Sequence, residues 1–240
     1  MARMVSEAER RDGAGARKFP PGFVVLLVLA LLSLAGGLAM SVMAAQSDGP
    51  FMGDLRITEA IQDNVPLGRF TTSIRHLNNT EATLWTGTIA VIGLWYARRR
   101  QQSAVLVLGL VALVALTVFL KFAVDRDRPD PALIDVTQPG RSPSFPSGHA
   151  ISSTMLVAYL SYVAAGSRVR KELKWLAGFG AIVMVVANGV GTIHAGVHWP
   201  TDVWGGYLWA VVLVVGLIFV DRAVVWWFGA DASRLWEGGG

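Results

Sequence analysis

Cysteine is absent from this 240-residue chain, so no disulfide or thiolate site is possible and the redox compartment is not readable. Charge is scarce as well. Asp, Glu, Lys and Arg make up 16% of the residues, and they cluster between long apolar runs. With 53% hydrophobic residues and a mean hydropathy of +0.47, the chain is more apolar than a soluble domain of this length. No internal repeat is present. The formal net charge is +4. In a soluble protein that balance would point to nucleic acid; here it reads as loops facing anionic lipid, and no nucleic-acid partner is expected.

Six apolar windows are candidates to cross a bilayer: residues 23–45, 82–97, 103–124, 149–166, 175–191 and 203–227. The second is short and carries threonines. The expected fold is therefore all-α, an integral membrane bundle of six transmembrane helices. Residues 1–22 would form a cytoplasmic tail, 23–229 the membrane domain and 230–240 a flexible cytoplasmic tail ending in three glycines. The first window has no clean small-x-small cleavage site and is long, which favours a retained anchor over a signal peptide.

Loop charges set the expected orientation. Arg3, Arg10, Arg11, Arg17 and Lys18 precede the first window, Arg98 to Arg100 follow the second, and Arg168, Arg170, Lys171 and Lys174 follow the fourth. The positive-inside rule puts these alternate loops and both termini in the cytoplasm. The long connection over residues 46–81 carries Met52, Leu55, Ile57, Ile61, Val65 and Phe70 at imperfect helical spacing. This reads as a short interfacial helix or as a plain surface cap. Gly36-Gly37, Gly178, Gly180 and Gly205-Gly206 are expected to permit close helix contact.

Three polar segments stand where apolar stretches end. The first runs from Lys121 through Arg126, Asp127 and Arg128 to Pro129. Lys121 and Arg128 are close to two helical turns apart and share a face if the helix persists that far. Two such cations clamp a phosphate, Arg adding bidentate geometry, although Lys and Arg at span ends also snorkel to headgroups. The second is Pro146-Ser147-Gly148-His149, opening an apolar helix. Helix N-termini offer free N–H groups to an anion; Ser147 can cap the helix or bond phosphate, and Gly148 lets backbone approach closely. An ionisable His149 at the mouth of a span is costly unless used. The third is His198-Trp-Pro-Thr-Asp202, with Pro200 suited to a first helical turn. A carboxylate on one ring nitrogen of His198 leaves the other as a nucleophile. His194, His198 and Asp202 also form a four-residue ladder that would suit a metal, but Gly196 and Pro200 interrupt it, and no metal is expected. His194 reads as a loop residue and His76 as a surface residue.

These segments resemble the type 2 phosphatidic acid phosphatase superfamily, which also contains the vanadium haloperoxidases. Lys121 to Pro129 fits its first motif, Lys, six residues, Arg-Pro; Pro146 to His149 fits the second. The third motif is Ser-Arg, five residues, His, three residues, Asp. Here His198 and Asp202 fit, but Gly191 and Thr192 stand where Ser-Arg belongs. The resemblance implies a metal-independent membrane lipid phosphatase with no cofactor and no obligate protein partner. Its substrate would be an isoprenoid diphosphate such as undecaprenyl diphosphate, or a phospholipid phosphomonoester. It implies His198 as the nucleophile that forms a phosphohistidine, His149 as the general acid and Asp202 as the partner of His198. Lys121, Arg128, Ser147 and Gly148 would bind phosphate. Arg141 and then Arg126 are the candidates to replace the cation missing at Thr192, with His194 a distant third. The expected location is a bacterial plasma membrane with the site on the extracytoplasmic side. A relative that binds phosphorylated lipid without turnover is the competing reading. A haloperoxidase is disfavoured by the membrane spans.

Overall fold

The computed structural model describes residues 22–47, 49–64, 80–137, 140 and 142–228, with side chains through Val224. Seven α-helices and no strand occur among the described residues: α1 Phe23–Ala45, α2 Asp54–Asn64, α3 Thr80–Tyr96, α4 Arg100–Val124, α5 Gly148–Ala165, α6 Lys171–His194 and α7 Pro200–Phe228. Four of them, α1, α4, α6 and α7, are long and apolar enough to cross a membrane. Their outward faces are apolar, with Leu32, Phe119, Phe122, Trp175, Leu176, Phe179 and Ile182 all more than half exposed. A soluble monomer does not carry that much continuous apolar surface. The chain is an integral membrane protein.

Of the three helices that fall short of that measure, α2 has only 11 residues, and α3 and α5 have physical reasons of their own. α3 has 17 residues, the lower end of what spans a bilayer. α5 has 18 residues and carries His149, Ser152, Ser153 and Thr154 in its first two turns. It can be polar because it is central: it packs against α3, α4, α6 and α7, not against lipid. The hydroxyls of Ser152 and Ser153 bond within the bundle. Ser153 Oγ donates to the His149 carbonyl at 2.7 Å, and Thr83 Oγ1 and Ser152 Oγ pair at 3.3 Å. The main core lies between α4, α5 and α7 around Leu106, Leu113, Ile151, Met155, Tyr159 and Trp209. Burial of such side chains contributes roughly 1.5–3 kcal/mol each on a water-to-apolar scale, but in lipid close packing replaces that driving force.

Glycine placement agrees only in part with the sequence expectation. A Cβ at Gly37 would lie 3.2 Å from the Trp209 ring, so α1 and α7 do meet there. A Cβ at Gly206 would lie 2.9 Å from both Ala150 Cβ and the Ser147 carbonyl oxygen. Gly178 and Gly180 are different: a Cβ on either meets nothing within 4 Å. They lie on a stretch of α6 flanked by the exposed Trp175, Leu176 and Phe179, and they serve no close contact.

The connection after α1 does hold a short helix, α2. Its buried residues are polar, Asp54 and Thr58, while Met52 and Ile57 point outward. Gln62 Nε2 fastens it to the carbonyls of Asp135 at 2.7 Å and His194 at 3.1 Å. The helix is therefore a cap held by its polar side over the loops after α4 and α6. The apolar positions noted in the sequence divide between two faces: Ile57 is exposed, while Ile61 packs inward beside Ile193 and Val203. Val65, Phe70 and His76 lie outside the described residues.

Candidate active site

The first cation pair does not share a helix face. α4 ends at Val124 because Asp125 turns left-handed, with φ 47° and ψ 39°, and its N–H bonds the Lys121 carbonyl. Asp is one of the few non-glycine residues that tolerate this conformation. Lys121 stays in the last turn of α4, and the turned chain brings Arg128 back toward it. Lys121 Nζ donates to the Pro143 carbonyl. Arg128 donates from Nε to the Ser142 carbonyl and from a terminal nitrogen to the Val197 carbonyl, both at 2.7 Å. Gly140 lies so close that a Cβ there would be 2.1 Å from Arg128 Nε. Both cations thus sit on loop carbonyls that flank Pro146–His149 and His198. Phosphate oxygens are stronger acceptors for the same donors.

Ser147 precedes α5 with extended backbone, φ −65° and ψ 113°, and its hydroxyl accepts from the Ala150 N–H at 3.4 Å. Of the two roles open to it, capping is the one its hydroxyl takes. Gly148 is buried, and a Cβ there would come within 3.1 Å of Thr80 Oγ1 at the start of α3. In the first turn of α5 the Ala150 and Ile151 N–H groups are taken by Ser147, through its hydroxyl and its carbonyl.

His149 and His198 face each other edge to face, with ring centroids 6.2 Å apart. His149 is partly exposed; His198 is buried. His198 Nδ1 lies 3.6 Å from Asp202 Oδ2, just outside hydrogen-bonding range. Such contacts commonly tighten only when substrate is bound. Burial pulls the His198 imidazole down to about 4, aided by the charges of Arg128 and Lys121 and opposed by Asp202. The ring is therefore neutral at pH 7, the state a nitrogen nucleophile needs. Asp202 Oδ2 also accepts the Trp199 N–H at 2.9 Å, which fixes the carboxylate at the start of α7.

Arg126 is placed differently from the sequence expectation. It is buried, and its terminal nitrogens are taken by Asp202 Oδ1 at 2.7 Å, Thr201 Oγ1 at 2.9 Å, Asp54 Oδ2 at 3.1 Å and the Gly49 carbonyl at 3.0 Å. Phe51 covers it, the ring centroid 4.5 Å from Cζ. With its terminal nitrogens committed to carboxylates, Arg126 supports Asp202 and does not offer a charge to phosphate. His194 is the last residue of α6, not a loop residue, and among the described residues no three His, Asp or Glu side chains converge as a metal set. Thr192 is fully buried and its hydroxyl bonds the Gly189 carbonyl at 2.8 Å on its own helix. Arg141 lies outside the described residues.

The sequence reading passed over Asp54 and Asn188. Asn188 Nδ2 donates to the His149 carbonyl at 3.0 Å and to Ser153 Oγ at 2.9 Å, tying α6 to the turn that bears His149. Its signal was available: an amide in the middle of an apolar window needs a partner. Asp54 carried none.

Comparison with known proteins identifies the family of the chain. The model of the PAP2 superfamily matches residues 102–228. Phosphatidylglycerophosphatase B of Bacillus subtilis is 27% identical over 153 residues, covering 61% of this chain and 71% of that protein. The crystal structure of a transmembrane PAP2-type phosphatidylglycerolphosphate phosphatase from Bacillus subtilis superposes with a TM-score of 0.68 at 25% identity, over 83% of this chain and 96% of that one.

Proposed function

The chain belongs to the PAP2 superfamily, and from that membership we propose that it hydrolyses a lipid phosphate or diphosphate through a phosphohistidine intermediate, without a metal. The observation that carries the proposal is the neutral, buried His198 set between Asp202 and the ring of His149, beside Lys121 and Arg128. In this reading the free ring nitrogen of His198 attacks phosphorus, and Asp202 balances the charge that develops on the ring. Lys121, Arg128 and the remaining first-turn N–H groups of α5 stabilise the phosphoryl oxygens. His149 protonates the departing lipid oxygen, then takes a proton from the water that releases phosphate. Fixed cations supply the electrostatics that a metal would otherwise provide.

The substrate we favour is a phospholipid phosphomonoester of the kind named for the Bacillus relatives, with a carrier-lipid diphosphate such as undecaprenyl diphosphate as the other choice. We read all six long helices as spans, α3 and α5 included, with both termini cytoplasmic and the site on the opposite face of a bacterial plasma membrane. One observation favours a second reading, binding without turnover: Thr192 supplies no cation where the family has Arg, and its hydroxyl is spent on its own helix.

The deciding experiment is phosphate release by the purified full-length protein in EDTA. The panel is phosphatidylglycerophosphate, phosphatidic acid and undecaprenyl diphosphate, with His198→Ala as control. Turnover on one of them that vanishes in the variant supports the enzyme. Retention of lipid phosphate with no turnover supports the second reading. Loss of activity in EDTA that a divalent ion restores would sink metal independence.

A further inference from the structure

Asp54 lies outside the matched region and outside all three motifs, yet Arg126 links it to Asp202. It is buried at the N-terminus of α2 and accepts four hydrogen bonds. Oδ1 takes the Thr201 N–H at 3.0 Å. Oδ2 takes Thr201 Oγ1 at 2.7 Å, the Phe51 N–H at 3.0 Å and Arg126 at 3.1 Å. Thr201 is the second residue of α7, so its N–H has no partner within the helix. Trp199, the residue before α7, has no side-chain acceptor to cap it. Asp54 performs that capping from another helix.

The same carboxylate balances Arg126. The guanidinium bridges Asp54 and Asp202, all three side chains being nearly inaccessible to water. A buried cation shared between two carboxylates holds each of them less tightly than it would hold one alone. That sharing leaves Asp202 Oδ2 turned toward Trp199 N–H and His198, and not drawn wholly onto Arg126.

We propose that Asp54 is a positioning residue: from α2 it anchors Arg126 and the first turn of α7, and so fixes the orientation in which Asp202 meets His198. The proposal rests on the reading of His198 and Asp202 as the reacting pair. α2 is then part of the catalytic framework and not a cover alone.

The test uses full-length protein with Asp54→Asn, which removes the charge and keeps an acceptor for Thr201. Turnover is expected to fall about tenfold to a hundredfold, as for a catalytic group misplaced by about 1 Å, with KM within about twofold. The loss should be non-additive: Arg126→Gln alone, which leaves two facing carboxylates, should lose more activity than Asp54→Asn/Arg126→Gln. A second readout needs no turnover. Titration of the histidine rings by NMR, with His198 assigned by its loss in His198→Gln, should move the His198 midpoint lower in Asp54→Asn. Asp202 is the group that raises it; Arg128 and Lys121, the other charges acting on that ring, are unchanged. If the parent protein proves inactive, this shift still decides the positioning claim. Should Asp54→Asn fail to fold, Thr201→Val, which deletes the hydroxyl between Asp54 and Arg126, takes its place, with several-fold loss and a shift of the same sign expected. A folded variant with parent-like turnover and an unmoved midpoint overturns the proposal.

Discussion

The backbone N–H of Ser147 donates to the carbonyl oxygen of Asp202 at 3.0 Å. One bond therefore joins the turn that carries His149 to the turn that carries the partner of His198. It forms because α5 and α7 touch backbone to backbone at Gly206, one helical turn beyond Asp202, while Gly205 packs on the Phe145 ring.

Gly206→Ala should therefore act on the site as well as on the bundle. The new methyl meets Ala150 Cβ and the Ser147 carbonyl at 2.9 Å, and neither can swing aside. A loss of about 1–3 kcal/mol is expected from overpacking, together with lower turnover in the folded fraction. Gly178→Ala is the control, since its methyl enters open space. Thermal unfolding in detergent and phosphate release should separate the two; equal behaviour would contradict the contact.

The two histidines should separate by leaving group. His198→Ala should abolish turnover on every substrate. His149→Ala should retain activity on an aryl phosphate or a diphosphate, whose departing oxygen is already acidic, and lose it on an alkyl phosphomonoester. Steady-state rates on the matched pair make the comparison. Equal losses on both would count against these roles.

Acid should act through His198. Its ordinary value is 6.5, and burial lowers it to about 4 in the fold. Between those values the unfolded chain takes up a proton that the folded chain refuses, so the contribution to stability is whole above pH 6.5 and is lost as pH falls toward 4. NMR titration should place the His198 midpoint near 4, and thermal unfolding should weaken across the same interval. A midpoint at 6.5 would show a hydrated ring.

Orientation can be read by labelling, and the absence of cysteine removes any background. Leu133 lies on the loop after α4 and Val169 on the loop after α5, exposed by 47% and 49%. Cysteines placed singly there should react with an impermeant maleimide from opposite sides, position 133 from outside. Labelling from one side would overturn the topology.

Much of this site was legible because its chemistry is local. Lys121, Arg128, His149, His198 and Asp202 each announce themselves by residue type, spacing and position at the end of an apolar run. What remained hidden depends on distant surfaces. Nothing around Asp54 says that its partners are Arg126 and Thr201. Arg126 was visible as a cation, but whether it faces phosphate or carboxylate is decided by α2, which sequence spacing cannot dock. Gly178 and Gly205 look alike in the chain; only the ring of Phe145, on the loop before α5, makes one of them necessary. The third apolar window ends at Val124, as α4 does; what spacing could not show is that Asp125 stops the helix there, so Lys121 and Arg128 do not share its face. The short, polar α5 is a helix whose neighbours shield it from lipid, a fact that hydropathy alone cannot see.

The seat of α1 has a consequence for biosynthesis. Its main partner is α7, through Gly36 against Leu208, Gly37 against Trp209, and Ser41 accepting the Trp209 Nε1–H at 3.2 Å. α1 leaves the ribosome before α7 and must therefore wait in the bilayer for it. Until α7 arrives, Gly36, Gly37 and Ser41 lack the partners they meet in the fold, and chains halted before α7 leave that small-residue face for membrane quality control to find.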